Sequence, residues 1–581
     1  MILVSEAKRA RYAAAGWWGS KTLYDRFAEN VSARPDEEAV VDAPNRGEFA
    51  HGAPMRWTWS QLADQVERFC LVLLAAGIGR DEIVVMQMPN TVEQFAVYLA
   101  CARLGVIISP VPVQYRENEL RQILERTAAA AALTFGRIGR AEAPHSAAAM
   151  FLRLSADHPS LRAVIAFGED LPAGCIDVAP AMATPVSTSD RAVLEAAVVA
   201  ADVQADDVFT ICWTSGTEAA PKGVPRSHNE WLVIAPSIIE SAELRPGARL
   251  LNPFPLVNMA GVSTALATWL VIGGVVIQHH PFSLPVFLRQ IRDEKIDYTV
   301  APPAVLNMLL QDPALLEGID FTRLSRIGSG SAPLSDWMVQ GFADRYGVQI
   351  VNYFGSNEGA ALSGSPRDIP DPKLRAQFFP RAGIEGFEWA VSTSAKIKTR
   401  LVSLETGQDI IAPGEAGELR FTGPTIFSGY YGAPELTARA FDDQGFYKTG
   451  DLFEIAGERG EYYRFVGRSK DLVIRGGMNI SAEEIENLLA GCPGIREAAV
   501  VGLPDRILGE RVCVCLAASP GETAPTLARI CAHLRDDCRV AAYKLPEYAL
   551  ELDALPRNPV GKVLKGDLRR LVRDRFAGAE A

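Results

Sequence analysis

Two periodicities alternate along much of the first two-thirds of this chain, and they constrain its fold more than any other feature. WTWSQLADQVERFCLVLLAAGI (57–78) carries apolar residues at helical spacing and stops at Gly, and DEIVVMQMPN (81–90) then reads as a strand with a turn. NTVEQFAVYLACARLGVIISPV (90–111) repeats the helix-then-strand order. Strands that alternate with helices are joined by crossovers, which give parallel sheets covered by helices on both faces. The spacing therefore predicts an α/β architecture for the large N-terminal part. QADDVFTIC (204–212) ends in a further strand, and that strand runs into a loop of small residues.

From about 380 to 466 the texture changes. KIKTRLVS, GELRFTG and GEYYRFVG are strand-like and separated by Gly and Pro, which predicts a smaller, mainly β subdomain. After GRSKDLVIRGG the pattern is mixed again. EEIENLLAG reads as a helix, REAAVVGLP and RVCVCLAAS as strands, and APTLARICAHLRDDC as a helix. We place a domain boundary at about Lys470, leaving a large domain over 1–470 and a small α+β domain over 471–581. With 581 residues and ~150 residues per domain, the chain can bury several cores.

The formal net charge is -12, from 58 Lys+Arg against 70 Asp+Glu. A chain of that sign is not built to coat nucleic acid, where basic side chains must neutralise phosphates. Local basic pockets for a small phosphorylated ligand are compatible with it. The nine Cys are scattered, and no CxxC occurs. Cys513 and Cys515 share one face of a strand and read as small buried hydrophobes rather than metal ligands. This usage fits a reducing compartment, the cytoplasm. The first residues lack the long apolar core of a signal peptide. The longest apolar stretch, 262–277, is broken by Ser263, Thr264 and Gly273-Gly274. It predicts a buried helix, a Gly-Gly turn and a strand, not a membrane span.

The sharpest local signal is TSGTEAAPKG at 214–223. A strand feeds Thr214, Ser215, Gly216 and Thr217, and the loop ends at Lys222. Small side chains let backbone N–H groups approach a polyphosphate, hydroxyls add donors, and the lysine adds a point charge. The GxxxxGK[ST] spacing of a Walker A loop is absent.

This loop resembles the phosphate-binding loop of the adenylate-forming (AMP-binding) superfamily of acyl-CoA synthetases and aryl-acid ligases, whose usual form is TSGTTGxPKG. Glu218 and Ala219 replace its Thr and Gly. Other stretches resemble the superfamily motifs, in order. GSGSAPL (328–334) is similar to the loop that flanks adenine, and YFGSNE (353–358) to the YGxTE motif, with Asn357 in place of Thr. YKTGD (447–451), GRSKD (467–471), RGGMNISAEEIE (475–486) and PRNPVGK (556–562) complete the series.

The resemblance implies two parallel-sheet subdomains plus a small β subdomain, followed by a mobile C-terminal domain. It also implies roles. Ser331, Ala332, Pro333, Asn352, Tyr353, Phe354 and Asn357 would flank the nucleotide with the 214–222 loop. Glu358 would hold Mg²⁺, Asp451 would accept from both ribose hydroxyls, and Arg468 would bind the nucleotide. Lys470 would be the hinge, and Arg475, Gly476 and Gly477 would line a CoA channel. Lys562 would be catalytic in adenylation, with His228 beside the carboxylate. Trp231, Asn258, Met259, Ser329 and Phe354 are the candidate acid pocket.

The implied reaction is ATP-dependent ligation of a carboxylic acid to CoA through an acyl-adenylate. A compact aromatic, alicyclic or medium-chain acid is the expected substrate class. Loading of a carrier protein, or a degenerate protein that binds acyl-adenylate without turnover, are the alternatives. The implied cofactors are ATP, Mg²⁺ and CoA. The partners are a small carboxylic acid and either CoA or a carrier protein, and a homodimer is the assembly compatible with them.

Overall fold

A computed structural model describes residues 1–139, 144–214, 221–279, 281–468, 471–475, 478–505, 508–538, 540, 542–558 and 561–576. The expected alternation resolves into two sheets. In one, the described strands run in the order Ile176–Asp177, Ala163–Phe167, Ala131–Phe135, Ile83–Gln87, Ile107–Pro110, Val208–Thr214 and Lys222–Ser227. All neighbours pair in parallel except the last, where Lys222–Ser227 returns antiparallel on Val208–Thr214. The second sheet has a parallel centre of Glu38–Val41, Val275–Gln278, Arg249–Asn252, Tyr298–Val300, Arg326–Gly330 and Gln349–Ser356. Arg56–Thr58 and Gly359–Gly364 close its two edges antiparallel.

Strands covered on both faces need apolar side chains on both, and Ile83–Gln87 and Ala131–Phe135 are buried at every residue. The helix Val92–Leu104 is likewise buried all round and touches strands of both sheets. It forms the shared middle layer, so the two sheets enclose one continuous core.

The 262–277 stretch folds as its interruptions predict, with one difference. Its helix opens as a π-helix, Val262–Ala267, before the α-helix Thr268–Ile272. The Thr268 hydroxyl donates to the Ser263 carbonyl, which the wider turn leaves within its reach. Gly273 ends the helix with φ +57, and the strand Val275–Gln278 follows.

The 380–466 texture becomes an antiparallel sheet in the order Phe378–Pro380, Tyr462–Arg468, Tyr447–Ala456, Ala416–Thr422 and Lys398–Val402. Sheet membership changes between Arg468 and Val473. The strands Val473–Arg475, Gly509–Ala518 and Ile495–Asp505 belong to a separate sheet, on which Tyr548–Glu551 pairs in parallel. Cys513 and Cys515 are fully buried there beneath Leu555, Leu568 and Val572. Among the described residues no helix is long and apolar enough to cross a membrane.

The turn before Val275–Gln278 has no room for a side chain. A Cβ on Gly274 would stand 2.1 Å from the carbonyl oxygen of Ala248. That oxygen is already fixed by the Val275 N–H at 3.0 Å. Gly274→Ala should therefore cost ~1–3 kcal/mol of stability through forced backbone displacement. Urea unfolding would read this as a lower midpoint, and an unchanged midpoint would refute the close packing described.

Candidate active site

The antiparallel return that ends the first sheet also builds the mouth of the 214–222 loop. Thr214 is the last residue of its strand and pairs directly with Lys222. Ser215, Gly216 and Thr217 lie outside the described residues, as do Lys470, Gly476 and Gly477. The Lys222 ammonium sits 5.4 Å from the centre of the Tyr430 ring. The Tyr430 hydroxyl donates to Glu358 Oε1 at 3.0 Å. Glu358 is buried at the turn between Gln349–Ser356 and Gly359–Gly364. Lys222, Tyr430 and Glu358 thus form one contiguous group.

A second group faces it. Asp451 and Arg468 are cross-strand partners, and Arg468 Nε lies 3.0 Å from Asp451 Oδ1. Thr449 and Gly450 shape the preceding turn. Gly450 has φ +71, its N–H donates to Glu418 Oε1 at 3.1 Å, and the Asp451 N–H donates to the Thr449 hydroxyl at 3.0 Å. Burial pushes the Asp451 carboxyl above its ordinary pKa, while Arg468 and Lys562 pull it down. Lys562 comes from the C-terminal sheet's side of the cleft. Its backbone sits in a tight hairpin: its N–H donates to Asn558 Oδ1 and its carbonyl accepts from the Asn558 N–H, both at 2.8 Å. Gly561 turns that hairpin at φ +85. Crowding in the cleft and the Arg468 charge lower the Lys562 pKa, against Asp451, Asp471 and Glu483, which raise it. Glu358 also acts on Asp451, so the two groups share one electrostatic neighbourhood.

The 328–334 loop opens from the strand Arg326–Gly330. Ser331 holds φ +69, a left-handed conformation that is costly for a residue with a Cβ and that clusters at functional sites. Ser331 and Ala332 are exposed, and Pro333 is half-buried. Ser329 points away, its hydroxyl donating to the Ala301 carbonyl at 2.8 Å. Phe354 leans on the small sheet's aromatic core, edge-on to Phe453 at 5.0 Å.

Other expected site residues are committed elsewhere. His228 is fully buried, stacks on Phe209 at 5.1 Å, and accepts the Leu23 N–H on Nδ1 at 3.3 Å. It heads the helix His228–Leu232, which Ser227 and Glu230 cap. Trp231 is equally buried in the main core, its Nε1 donating to Thr210 Oγ1 at 2.9 Å. The Asn352 amide donates to the Arg375 and Ala376 carbonyls. The Tyr353 hydroxyl meets Ser241 at 2.8 Å and Tyr298 at 3.1 Å, and burial pushes its pKa up to about 12. Asn258 caps the turn Met259–Gly261 by accepting the Gly261 N–H. Met259 is buried, with its N–H on Asn357 Oδ1 at 2.7 Å. Arg475 is paired with Glu547 at 2.8 Å within its own domain.

Three residues absent from the sequence reading complete the site. Tyr430 bonds Glu358, Arg226 donates to the carbonyls of Asn357 and Thr425 at 2.9 and 3.0 Å, and Lys8 reaches the same segment from the first helix. Arg226 carries a usable signal: alternation from Lys222 puts it on the same strand face, unusual for a buried guanidinium. Tyr430 and Lys8 carry none, because their partners are 72 and 418 residues away.

The donor chemistry suits a hard cation held jointly with a ligand. Among the described residues there is no cluster of three or more His, Cys, Asp or Glu that could hold a metal alone. Mg²⁺ is typically bound by one or two carboxylates together with substrate phosphates, and Glu358 is such a carboxylate beside the loop.

The sequence matches the family described as AMP-binding enzyme over residues 27–431 and its C-terminal domain over 484–562. It is 28% identical to the medium-chain fatty-acid–CoA ligase of Escherichia coli (strain K12), over 98% of this chain and 94% of that one. It is 30% identical to the 2-hydroxy-7-methoxy-5-methyl-1-naphthoate–CoA ligase of Streptomyces carzinostaticus, over 96% and 95%. The solved structure of ATP-bound MatB from Rhodopseudomonas palustris superposes with a TM-score of 0.74 at 25% identity, covering 96% of this chain and 100% of that one.

Two buried imidazoles near these elements set an acid limit on stability. Burial lowers His228 to about 4 and His279 to about 4. His279 accepts the Ser283 N–H on Nε2 and faces Gln290 Oε1 with Nδ1, an arrangement that a neutral ring satisfies and a second proton would break. Their ordinary value is 6.5, so the unfolded chain takes up these protons first as pH falls. Stability should therefore fall from about pH 6.5 to about pH 4, by ~3 kcal/mol per ring at most, and the two rings should add nothing further below that window. Urea midpoints across pH 4–7.5 would show the slope, and His279→Gln should flatten it. An identical slope in that variant would remove the assignment.

Proposed function

The chain belongs to the AMP-binding enzyme family, and on that premise we propose how its residues divide the work of two half-reactions. It is an AMP-forming acid–thiol ligase of the acyl-CoA synthetase type. A carboxylate attacks the α-phosphorus of ATP, pyrophosphate leaves, and an acyl-adenylate forms. A thiol then attacks the acyl carbon and AMP leaves. The first step joins anions, so the site must neutralise charge and align the attack.

In our reading the 214–222 loop and Lys222 receive the phosphates. Glu358 holds Mg²⁺, which when bound supplies charge neutralisation at the phosphate oxygens. Asp451 accepts from the ribose hydroxyls, oriented by Arg468. The loop at Ser331–Ala332–Pro333 and Phe354 flank the base. Lys562 stabilises charge on the forming acyl-phosphate. The observation that carries the reading is geometric: Arg468 Nε stands 3.0 Å from Asp451 Oδ1 as its cross-strand partner, and Tyr430 joins Glu358 to Lys222.

After adenylation the 471–581 domain swivels about Lys470 and exchanges Lys562 for the 475–477 segment, so one pocket serves both steps. We assign a compact aromatic, alicyclic or medium-chain acid as substrate and CoA as acceptor, in line with the named substrates of both relatives. Nine free cysteines suit a reducing cytoplasm. A panel of such acids with ATP, Mg²⁺ and CoA, read by pyrophosphate release and mass spectrometry, identifies the acid. Adenylate formation without a CoA thioester would move the acceptor to a carrier protein.

Lys562→Ala separates the half-reactions. Acid-dependent pyrophosphate–ATP exchange should fall by ~100-fold or more, the scale of one lost electrostatic contact in a closed site. Thioester formation from supplied acyl-adenylate should stay near wild type. Equal loss of both would show that Lys562 does not act in adenylation alone.

A further inference from the structure

We propose that Lys8 is a positioning residue for the Glu358 carboxylate, acting through the 425–430 segment, so that the first helix belongs to the adenylation apparatus. The inference rests on the ligase reading above.

The 425–430 segment touches Glu358 twice. The Phe427 N–H donates to the Glu358 carbonyl at 2.8 Å, within an antiparallel bridge between Ile426 and Gly359. Three residues further on, the Tyr430 hydroxyl donates to Glu358 Oε1 at 3.0 Å. The backbone of Glu358 and one carboxylate oxygen are therefore both set by where this segment lies.

Two cations hold the segment from behind. Arg226 Nη1 donates to the Thr425 carbonyl at 3.0 Å. Lys8 Nζ donates to the Ile426 carbonyl at 3.0 Å and the Ser428 hydroxyl at 3.1 Å, and stands 3.5 Å from the Phe427 carbonyl. An ammonium has three donors, and these oxygens occupy them. Lys8 comes from the helix Glu6–Ala14, which Ser5 caps and Tyr12 anchors. Tyr12 is buried, edge-on to Trp18 at 5.0 Å, and lies one turn from Lys8 on the same face. The helix thus presents Lys8 in a fixed place.

The ammonium bears the cost of that place. Burial lowers its pKa to about 8, and the Glu230 charge opposes the fall. A lysine kept half-buried at such cost, with its donors on backbone oxygens, restrains the segment rather than the surface. Losing it would leave the Ile426 carbonyl and the Ser428 hydroxyl without this donor and free the strip to shift relative to Glu358.

Lys8→Met keeps the length and apolar stem and removes the donors. Mn²⁺ serves as the paramagnetic probe, titrated by EPR in the presence of a non-hydrolysable α,β-methylene ATP analogue. The variant should bind Mn²⁺ ~10-fold more weakly, the scale of losing a supporting contact behind a metal-binding carboxylate. Its pyrophosphate–ATP exchange should need more Mg²⁺, with the KM for the acid and the thioester half-reaction unchanged. Lys8→Arg should recover part of the Mn²⁺ affinity. A folded Lys8→Met protein with wild-type Mn²⁺ affinity, or with both half-reactions reduced alike, overturns the proposal.

Should Lys8→Met not fold, Tyr430→Phe breaks the last link of the same chain and must weaken Mn²⁺ in the same way; unchanged affinity there overturns it equally. The outcome is distinct from that of the ligase reading. Absence of acid-dependent exchange in the wild type would defeat that reading, while the Mn²⁺ titration would still report on Lys8.

Discussion

The site depends first on one side-chain amide. Asn357 Oδ1 accepts the Met259 N–H at 2.7 Å, and Asn357 Nδ2 donates to the Trp213 carbonyl at 3.1 Å. Its own carbonyl accepts from Arg226 Nε at 2.9 Å. Trp213 belongs to the first sheet, Met259 follows a strand of the second, and Asn357 directly follows another strand of the second, Gln349–Ser356. Three separate runs of chain are therefore tied within one residue of Glu358. Each bond is worth only ~1 kcal/mol net, but a part-buried donor or acceptor left unpaired costs more than its bond gains. Family resemblance puts a threonine here. A hydroxyl has a shorter reach than an amide and offers one donor, so the exchange for asparagine serves this three-way tie.

Electrostatics then explains how an acidic chain handles a polyanion. The surplus of carboxylates is a property of the whole sequence, but field strength at a site depends on nearby charge and on exclusion of water. Arg226 is fully buried and Lys8 half-buried behind the segment that faces Glu358. Neither is on the open surface where salt would screen it. Both complete backbone carbonyls, so their positive charge is fixed in direction as well as place. The net charge of -12 excludes a general polyanion binder and says nothing about this interior.

How much of this could be read in advance follows from the range of each interaction. The helix–strand alternation is local, and it predicts parallel α/β sheets and the strand that enters the 214–222 loop; the Gly- and Pro-separated strands after 380 mark the small antiparallel sheet, and the division into two parallel-sheet subdomains comes from the resemblance. Motif order names Asp451 and Arg468 without pairing them, and their meeting follows from antiparallel register between Tyr447–Ala456 and Tyr462–Arg468. His228 and Trp231 are placed by their helix, not by their nearness in sequence to the loop. A residue adjacent to a loop motif need not face the loop, and the helix His228–Leu232 turns both side chains into the core. Asn352 and Ser329 lie on strands beside the loop, and their side chains bond neighbouring carbonyls. Lys8 and Tyr430 stayed invisible because no periodic pattern links residues so far apart in sequence.

The cleft's far wall bears on the swivel proposed above. The helix Ala482–Leu489 brings Glu483 against Asp451 and Arg468, and the Ser481 hydroxyl reaches the Val466 carbonyl across the joint. Burial pushes Glu483 up to about 7, Lys565 and Arg468 oppose that, and among the described residues one of its carboxylate oxygens is buried with no hydrogen-bond partner. Glu486 next to it is similarly raised by burial and answered by Lys565 at 2.8 Å. Charged groups taken from water recover their desolvation cost only with complete partners, so this joint is weaker than an apolar contact of the same area. A large apolar joint would lock the domain over the nucleotide. If the small domain closes for one step and leaves for the next, as proposed above, a joint with a buried charged group incompletely paired among the described residues would hold it less tightly than an apolar one.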